Sequence, residues 1–232
     1  MHRGLIAILP MLSMLSCASP GQHVQEEAVI RPGEVTDFRL LYAQNCSGCH
    51  GPDGQGALSV AIGKPVYLAI ADDPTIRRVI EAGTTGTAMP AFSQKAGGFL
   101  TDAQIDILVR GIRAWSRAGD LDTRPPAYAA SLTGDAERGQ GVFGEYCSSC
   151  HGAGASGPRA IADPSYLALV SDQHLRTVTI AGMPNLGMPD WRGHAKPLSD
   201  ADVTDVVAWL AMHRAPLSAS LNHDLNHGGG LE

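Results

Sequence analysis

Two short strings of the chain carry the residue types most able to do chemistry. CSGCH occupies residues 46–50 and CSSCH occupies residues 147–151, so each string holds two cysteines followed directly by a histidine. Thiols and imidazoles bind transition metals, and thiols also form disulfides or covalent bonds with a cofactor. Because the string occurs twice, any explanation has to account for both copies.

Three explanations leave part of the pattern unused. A structural zinc ion needs four ligands, and C-x-x-C pairs that share an ion usually recur within about 20 residues, whereas these strings lie 101 residues apart. A thioredoxin-like dithiol is expected in a βαβ context, and no stretch of the sequence alternates as a strand would. A structural disulfide would use the cysteines and leave both histidines without a role.

C-x-x-C-H is also the attachment signature of c-type haem, and this explanation uses every residue of the string. The two thiols form thioether bonds with the vinyl groups at one porphyrin edge, and the histidine then binds the iron. The sequence therefore predicts two covalently bound haem c groups. The predicted attachment residues are Cys46, Cys49, Cys147 and Cys150, and the predicted proximal ligands are His50 and His151.

A methionine in each copy is the predicted sixth ligand of the iron. Met89 follows His50 by 39 residues and Met188 follows His151 by 37, and a proline comes directly after each methionine. Methionine ligation raises the reduction potential of haem iron, as in electron-transfer cytochromes c. The predicted metal ligands are thus one histidine and one methionine in each half.

Other residues of the second half compete with Met188 for this role. Met183 also precedes a proline, but it aligns with Thr84, whose side chain does not supply a thioether. His174 and His194 would lower the potential if they bound the iron, and neither has a histidine counterpart in the first half. We therefore favour Met188.

The strings belong to an internal repeat of about 100 residues. A period of this length indicates two domains in tandem, not the short units of a solenoid. The predicted domains cover residues 34–118 and 133–215, joined by a proline-containing linker at 119–132. The matching segments are PVYLA with PSYLA, MPAF with MPDW, and LTDAQI with LSDADV, beginning at Pro65, Pro164, Met89, Met188, Leu100 and Leu198.

Apolar residues recur at helical spacing in both copies, so we predict an all-α fold. Thr101 and Ser199 stand where an N-cap residue is expected, directly before the last helix of each copy. The predicted helices cover residues 34–45, 74–81 and 101–115 in the first copy, and 135–146, 172–180 and 199–214 in the second.

The N-terminus has the layout of an export signal. A basic start and a short apolar run predict a signal peptide at residues 1–16, because the run is shorter than the ~20 apolar residues of a membrane-spanning helix. Cys17 stands where a lipoprotein signal is cut, which predicts lipidation of Cys17 and an N-terminal tether at 17–33. Ordinary cleavage with an incidental Cys17 is the alternative. Polar residues 216–232 are predicted to form a disordered tail.

The overall composition sets further bounds on function. The formal net charge of −6 gives no support to nucleic-acid binding, for which a basic surface would be expected. Hydrophobic residues make up 44% of the chain and aromatic residues only 5%. A large flat cofactor in the core would account for this shortage of aromatic side chains.

On these motifs the chain resembles a two-domain class I cytochrome c, over residues 34–115 and 133–214. The resemblance implies two small all-α haem domains, in which the first and last helices cross, and low-spin His/Met iron. It also implies one-electron transfer with protein partners. The architecture is similar to periplasmic dihaem cytochromes and to haem subunits of quinol-oxidising complexes, terminal oxidases and periplasmic dehydrogenases.

The sequence therefore predicts an electron-relay protein and not an enzyme. Its predicted partners are a quinol-oxidising complex, terminal oxidase, reaction centre or periplasmic dehydrogenase, at the periplasmic side of a bacterial membrane. The lipid on Cys17 would anchor it, and a soluble periplasmic protein is the alternative. A haem enzyme, such as a dihaem peroxidase or a sulfur-compound oxidoreductase, or a gas or redox sensor would need an open or exchangeable ligand position. The matched methionines argue against such a position.

Overall fold

The computed structural model describes residues 30–85, 87–115, 121, 123–193 and 196–215. Within these ranges the regular structure is entirely helical, which confirms the all-α prediction; two isolated bridges are the only strand-like pairings there. The predicted signal peptide, Cys17 and the predicted tail lie outside the described residues. None of the helices described is both long enough and apolar enough to cross a membrane.

In the part of the chain that the structure describes, each copy of the repeat contributes five α-helices in the same order. In the first copy they are α1 (Phe38–Asn45), α2 (Ser47–His50), α3 (Pro65–Ile70), α4 (Asp73–Ala82) and α5 (Asp102–Arg113). In the second copy they are α6 (Ala136–Val142), α7 (Ser148–His151), α8 (Pro164–Leu169), α9 (Asp172–Ala181) and α10 (Asp200–Met212). A π-helical turn, Phe143–Cys147, joins α6 to α7.

Side-chain caps set where most of the long helices begin. Thr101 and Ser199 each form a capping box, which confirms the predicted starts of α5 and α10. The prediction for the first helix was wrong at its start: Glu34 belongs to a separate 3₁₀ turn, and α1 begins after Asp37, whose carboxylate accepts from the N–H of Leu40 at 2.7 Å. The cap residue therefore determines the boundary more than the apolar pattern does.

The first and last helices of each copy pack at very short range. A β-carbon added to Gly111 of α5 would lie 2.1 Å from the ring of Phe38 in α1. In the second copy the glycine is on the first helix, where a β-carbon added to Gly139 would lie 2.0 Å from the backbone oxygen of Asp205 in α10. The helix pair that frames each site thus depends on a glycine at the contact.

In each copy, an arginine near the end of the last helix forms hydrogen bonds that hold the short third helix in place. Each arginine donates to two backbone oxygens at the C-terminal end of that helix and pairs with the first acidic residue of the fourth helix. These bonds satisfy carbonyls that a helix end leaves without partners. The partners are Leu68, Ala71 and Asp73 for Arg113, and Leu167, Val170 and Asp172 for Arg214.

The described residues from Pro32 onward form one compact unit, in which the two copies pack against each other. Val66 of α3 is buried with Ile180 and Trp191 of the second copy. The buried guanidinium of Arg176 donates to the backbone oxygens of Ala127 and Tyr128, so it holds the connecting segment against α9. The domain limits of 34–118 and 133–215 remain predictions.

Candidate haem sites

Each C-x-x-C-H string forms a single helical turn, which follows α1 in the first copy and the π-helical turn after α6 in the second. In the first copy Cys46 ends α1 and caps α2, and the N–H of His50 donates to the backbone oxygen of Cys46 at 3.0 Å. Residues three apart on a helix lie on one face, so this turn presents Cys46 and Cys49 on the same side. Cys147 precedes α7 in the same way. The spacing therefore suits two bonds to one edge of a planar macrocycle.

The four cysteines of the two turns do not form disulfides. Cys46 and Cys147 are half-buried, while Cys49 and Cys150 are exposed. Burial, with a smaller contribution from Cys49, raises the pKa of Cys46 to about 12, and burial raises the pKa of Cys147 to about 11. Before haem is attached, the thiolate, which is the form that attacks disulfides, is therefore scarce at neutral pH at these two positions.

Both histidines are oriented by a backbone carbonyl. His50 Nδ1 lies 2.9 Å from the oxygen of Val60, and His151 Nδ1 lies 2.8 Å from the oxygen of Arg159. A carbonyl can only accept, so Nδ1 carries the proton and Nε2 keeps a lone pair for a metal. Burial lowers the pKa of His50, against the opposing effect of the Val60 carbonyl, which favours the neutral imidazole that binds iron.

The methionine loops of the two copies are built alike. Gly83 and Gly182 each have φ of 69°, a conformation that favours glycine. A β-carbon on Gly83 would lie 2.6 Å from the backbone oxygen of Met89, and one on Gly182 would lie 2.6 Å from the carbonyl carbon of Pro189. Met89 and Met188 are both half-buried. Structurally, Met188 is the counterpart of Met89, and their ligation of iron remains a prediction.

Met183 occupies the position of Thr84. The N–H of Thr84 donates to the oxygen of Met89 at 3.1 Å, and the N–H of Met183 donates to the oxygen of Met188 at 3.0 Å. The N–H of Met188 also donates back to Met183 at 3.1 Å, so the two residues form an antiparallel bridge. His174 is half-buried on α9, and His194 lies outside the described residues.

The residues present fit haem c at both sites. Each site offers two cysteine side chains on one helical turn and an imidazole with Nδ1 protonated, as thioether attachment and iron ligation require. Clusters of three or more histidine, cysteine or acidic side chains that could hold a metal ion are absent from the described part of the chain. The carbonyls of Val60 and Arg159 were missed by sequence reasoning, because a backbone acceptor leaves no signal in residue type.

Comparison with known proteins identifies the family. The model of the family described as "Cytochrome C oxidase, cbb3-type, subunit III" matches residues 33–110 and 134–210, one match for each copy of the repeat. The chain belongs to this family. It is a dihaem class I cytochrome c, with two tandem cytochrome c domains that bind two covalent haem c groups.

Curated proteins that are similar to this chain are named as subunits of an oxidase. The Cbb3-type cytochrome c oxidase subunit CcoP of Azospirillum brasilense is 34% identical over 162 residues, covering 62% of this chain and 48% of that protein. The subunit FixP of Sinorhizobium medicae (strain WSM419) is 30% identical over 162 residues, covering 60% and 48%. The chain spans about half the length of these curated relatives. These names do not favour the alternative of a peroxidase or a sulfur-compound oxidoreductase.

One solved structure matches most of the chain at low similarity. A chain of the Kuenenia stuttgartiensis reducing HAO-like protein complex superposes with a TM-score of 0.44 at 22% identity. The match covers 79% of this chain and 99% of that chain. The similarity is too low to inform function.

Proposed function

We propose that this protein is an exported cytochrome that relays single electrons to or within a cbb3-type terminal oxidase. The observation that carries the proposal is the duplicated site, in which a C-x-x-C-H turn, a carbonyl-bound histidine and a methionine loop recur in both copies. Two similar sites in one compact unit suit transfer from one haem to the other. The relatives named CcoP and FixP support an oxidase as the acceptor.

The residues of each site bind and tune the cofactor. A bound haem supplies reversible one-electron chemistry. The cysteines attach the porphyrin, and the histidine presents Nε2 to the iron while its Nδ1–H donates to Val60 or Arg159, which raises the basicity of the ligand. Met89 and Met188 are the proposed sixth ligands, and a thioether in that position raises the reduction potential.

Attachment to a membrane surface is part of the proposal and depends on Cys17. A lipid on Cys17 would hold the protein at the periplasmic side of the membrane, where a membrane-bound oxidase accepts electrons. Tethering raises the local concentration of the protein near such a partner. A relay confined to the membrane surface would therefore reduce its partner faster than a freely diffusing protein at the same bulk concentration.

The test begins with cofactor content and ends with electron transfer. We expect protein exported from a host with cytochrome c maturation to carry two added haem masses. The ferric form should be low-spin, with the weak charge-transfer band of a methionine–iron bond at the red end of the spectrum. The reduced protein should then be oxidised by membranes that contain a cbb3-type oxidase and not by membranes lacking it. Two high-spin, five-coordinate irons would refute the relay function.

A further inference from the structure

Among the residues that the structure describes, one polar side chain joins the loops of the two candidate haem sites. Asn185 lies in the methionine loop of the second copy, between Met183 and Met188. Its side-chain amide donates to the backbone oxygens of Gln55 and Gly56 in the first copy, with 3.1 Å between Nδ2 and the Gln55 oxygen. An amide nitrogen has two protons, so both donors of Asn185 are directed at the same loop.

In the first copy this loop is attached directly to the proximal histidine. The N–H of Gly56 donates to the backbone oxygen of His50 at 2.7 Å, and His50 Nδ1 lies 2.9 Å from the oxygen of Val60. The loop therefore bonds to His50 through both the backbone and the imidazole ring. A shift of the loop would therefore change the position of His50, the histidine predicted to bind the first iron.

In the second copy the contact is close to the predicted methionine ligand. Asn185 follows Met183 by two residues, and Met183 forms two backbone hydrogen bonds with Met188. His50 is thus linked to Gly56 by one hydrogen bond, and Gly56 is linked to Asn185 by a second. From Asn185 the path follows the backbone to Met183, which is hydrogen-bonded to Met188. No other polar bridge between the two loops is found among the residues described.

The surfaces on either side of Asn185 lie close together. The gap between the loops leaves no room for a water molecule, and it is lined by small residues of the first copy and by the Met183–Leu186 segment of the second. The first copy has Gly86 at the position that aligns with Asn185. The sequence therefore provides this amide on only one of the two methionine loops.

We propose that Asn185 is a positioning residue that docks the methionine loop of the second haem site on the histidine loop of the first. Docking holds the two sites at the separation across which electrons pass. This inference rests on the proposed relay function. Since Asn185 is exposed, its role is to fix the junction and not to stabilise a core.

The experiment compares Asn185→Asp and Asn185→Ala with Gln55→Ala in the full-length holoprotein. Asn185→Asp keeps the shape but places a carboxylate against two carbonyl oxygens, and Asn185→Ala removes the donor. Gln55→Ala is the matched control, because it removes an amide from the same loop but leaves the backbone oxygen that accepts from Asn185. All variants are first checked for two haem masses and unchanged spectra.

The first readout is hydrogen exchange, which does not depend on electron transfer. Loss of the two bonds should speed exchange in residues 55–61 and 183–188 by about fivefold for each bond lost, the effect of one typical net hydrogen bond. The second is the rate of electron equilibration between the haems after rapid photoreduction, which should fall in both Asn185 variants and stay unchanged in Gln55→Ala. Unchanged exchange and an unchanged interhaem rate in both Asn185 variants would overturn the inference.

The experiments distinguish a failure of the proposed relay function from a failure of the proposed positioning role of Asn185. If the haem masses are missing, the relay function fails, and hydrogen exchange still tests the loop contact. If haems are present and oxidase membranes accept electrons while Asn185→Asp behaves like wild type in both readouts, only the positioning role is wrong.

Discussion

Replacing Gly139 by alanine should separate the two helices that frame the second haem site. The added β-carbon would lie 2.0 Å from the backbone oxygen of Asp205 and 2.9 Å from Cβ of Trp209. Backbone atoms cannot rotate away, so α6 and α10 would have to separate by about 1.4 Å to reach the 3.4 Å of an ordinary contact. Overpacking of this kind costs about 1–3 kcal/mol.

The separation would also strain the polar contacts of Asp205. This buried carboxylate accepts from the N–H of Asp135 at 2.7 Å and pairs with the guanidinium of Arg138. Hydrogen bonds to charged groups contribute about 1.5–3 kcal/mol. Alanine would recover about 1 kcal/mol in helix propensity. We expect a net loss of about 3 kcal/mol in the free energy of unfolding.

Gly141 provides a matched control in the same helix. A β-carbon added to Gly141 meets nothing within 4 Å, so Gly141→Ala should stabilise α6 by up to about 1 kcal/mol. Thermal unfolding of the holoproteins, followed by far-UV circular dichroism, should show Gly139→Ala melting about 6–12 °C below wild type. The reasoning would be refuted if Gly139→Ala proved as stable as Gly141→Ala.

Three further predictions concern the methionine ligands of the iron, the lipid anchor on Cys17 and the hydrogen bonds of Arg214. Met89→Leu and Met188→Leu should each remove about half of the ferric methionine–iron charge-transfer band, whereas Met183→Leu should leave it intact; the optical spectrum of each variant decides between Met188 and Met183. Cys17→Ala should move the protein from the membrane to the soluble fraction, and retention at the membrane would indicate a protein partner instead. Arg214→Ala should lower the free energy of unfolding by about 1–2 kcal/mol in urea titrations, because two carbonyls at the end of α8 lose their donor; a midpoint equal to that of wild type would show that water replaces the arginine.

Features with a local cause were predictable from the sequence. A C-x-x-C-H string carries its chemistry within five residues, and the long amphipathic helices repeat their apolar positions every turn. The caps at Thr101 and Ser199 act over three residues, so the starts of α5 and α10 were placed correctly. The match between the copies supplied the register that pairs Met188, and not Met183, with Met89.

Short helices were not predictable in this way. The segments α3 and α8 are six residues long, which is too short to show a helical period, and neither was predicted. These helices are stabilised by their buried side chains, among them Val66, Tyr67 and Leu167. Hydrogen bonds from Arg113 and Arg214 add to the stability that local helix propensity does not supply. These contributions come from residues tens of positions away in the chain.

The sequence by itself determined the cofactor chemistry, the helical class and the duplication, because each is written in residue types at short, fixed spacing. Only the tertiary structure decided which carbonyls orient the histidines and which side chain joins the two sites. Val60 and Arg159 act through backbone oxygens that every residue possesses. Asn185 meets Gly56 across about 130 residues of chain, and no local pattern encodes a contact over that separation.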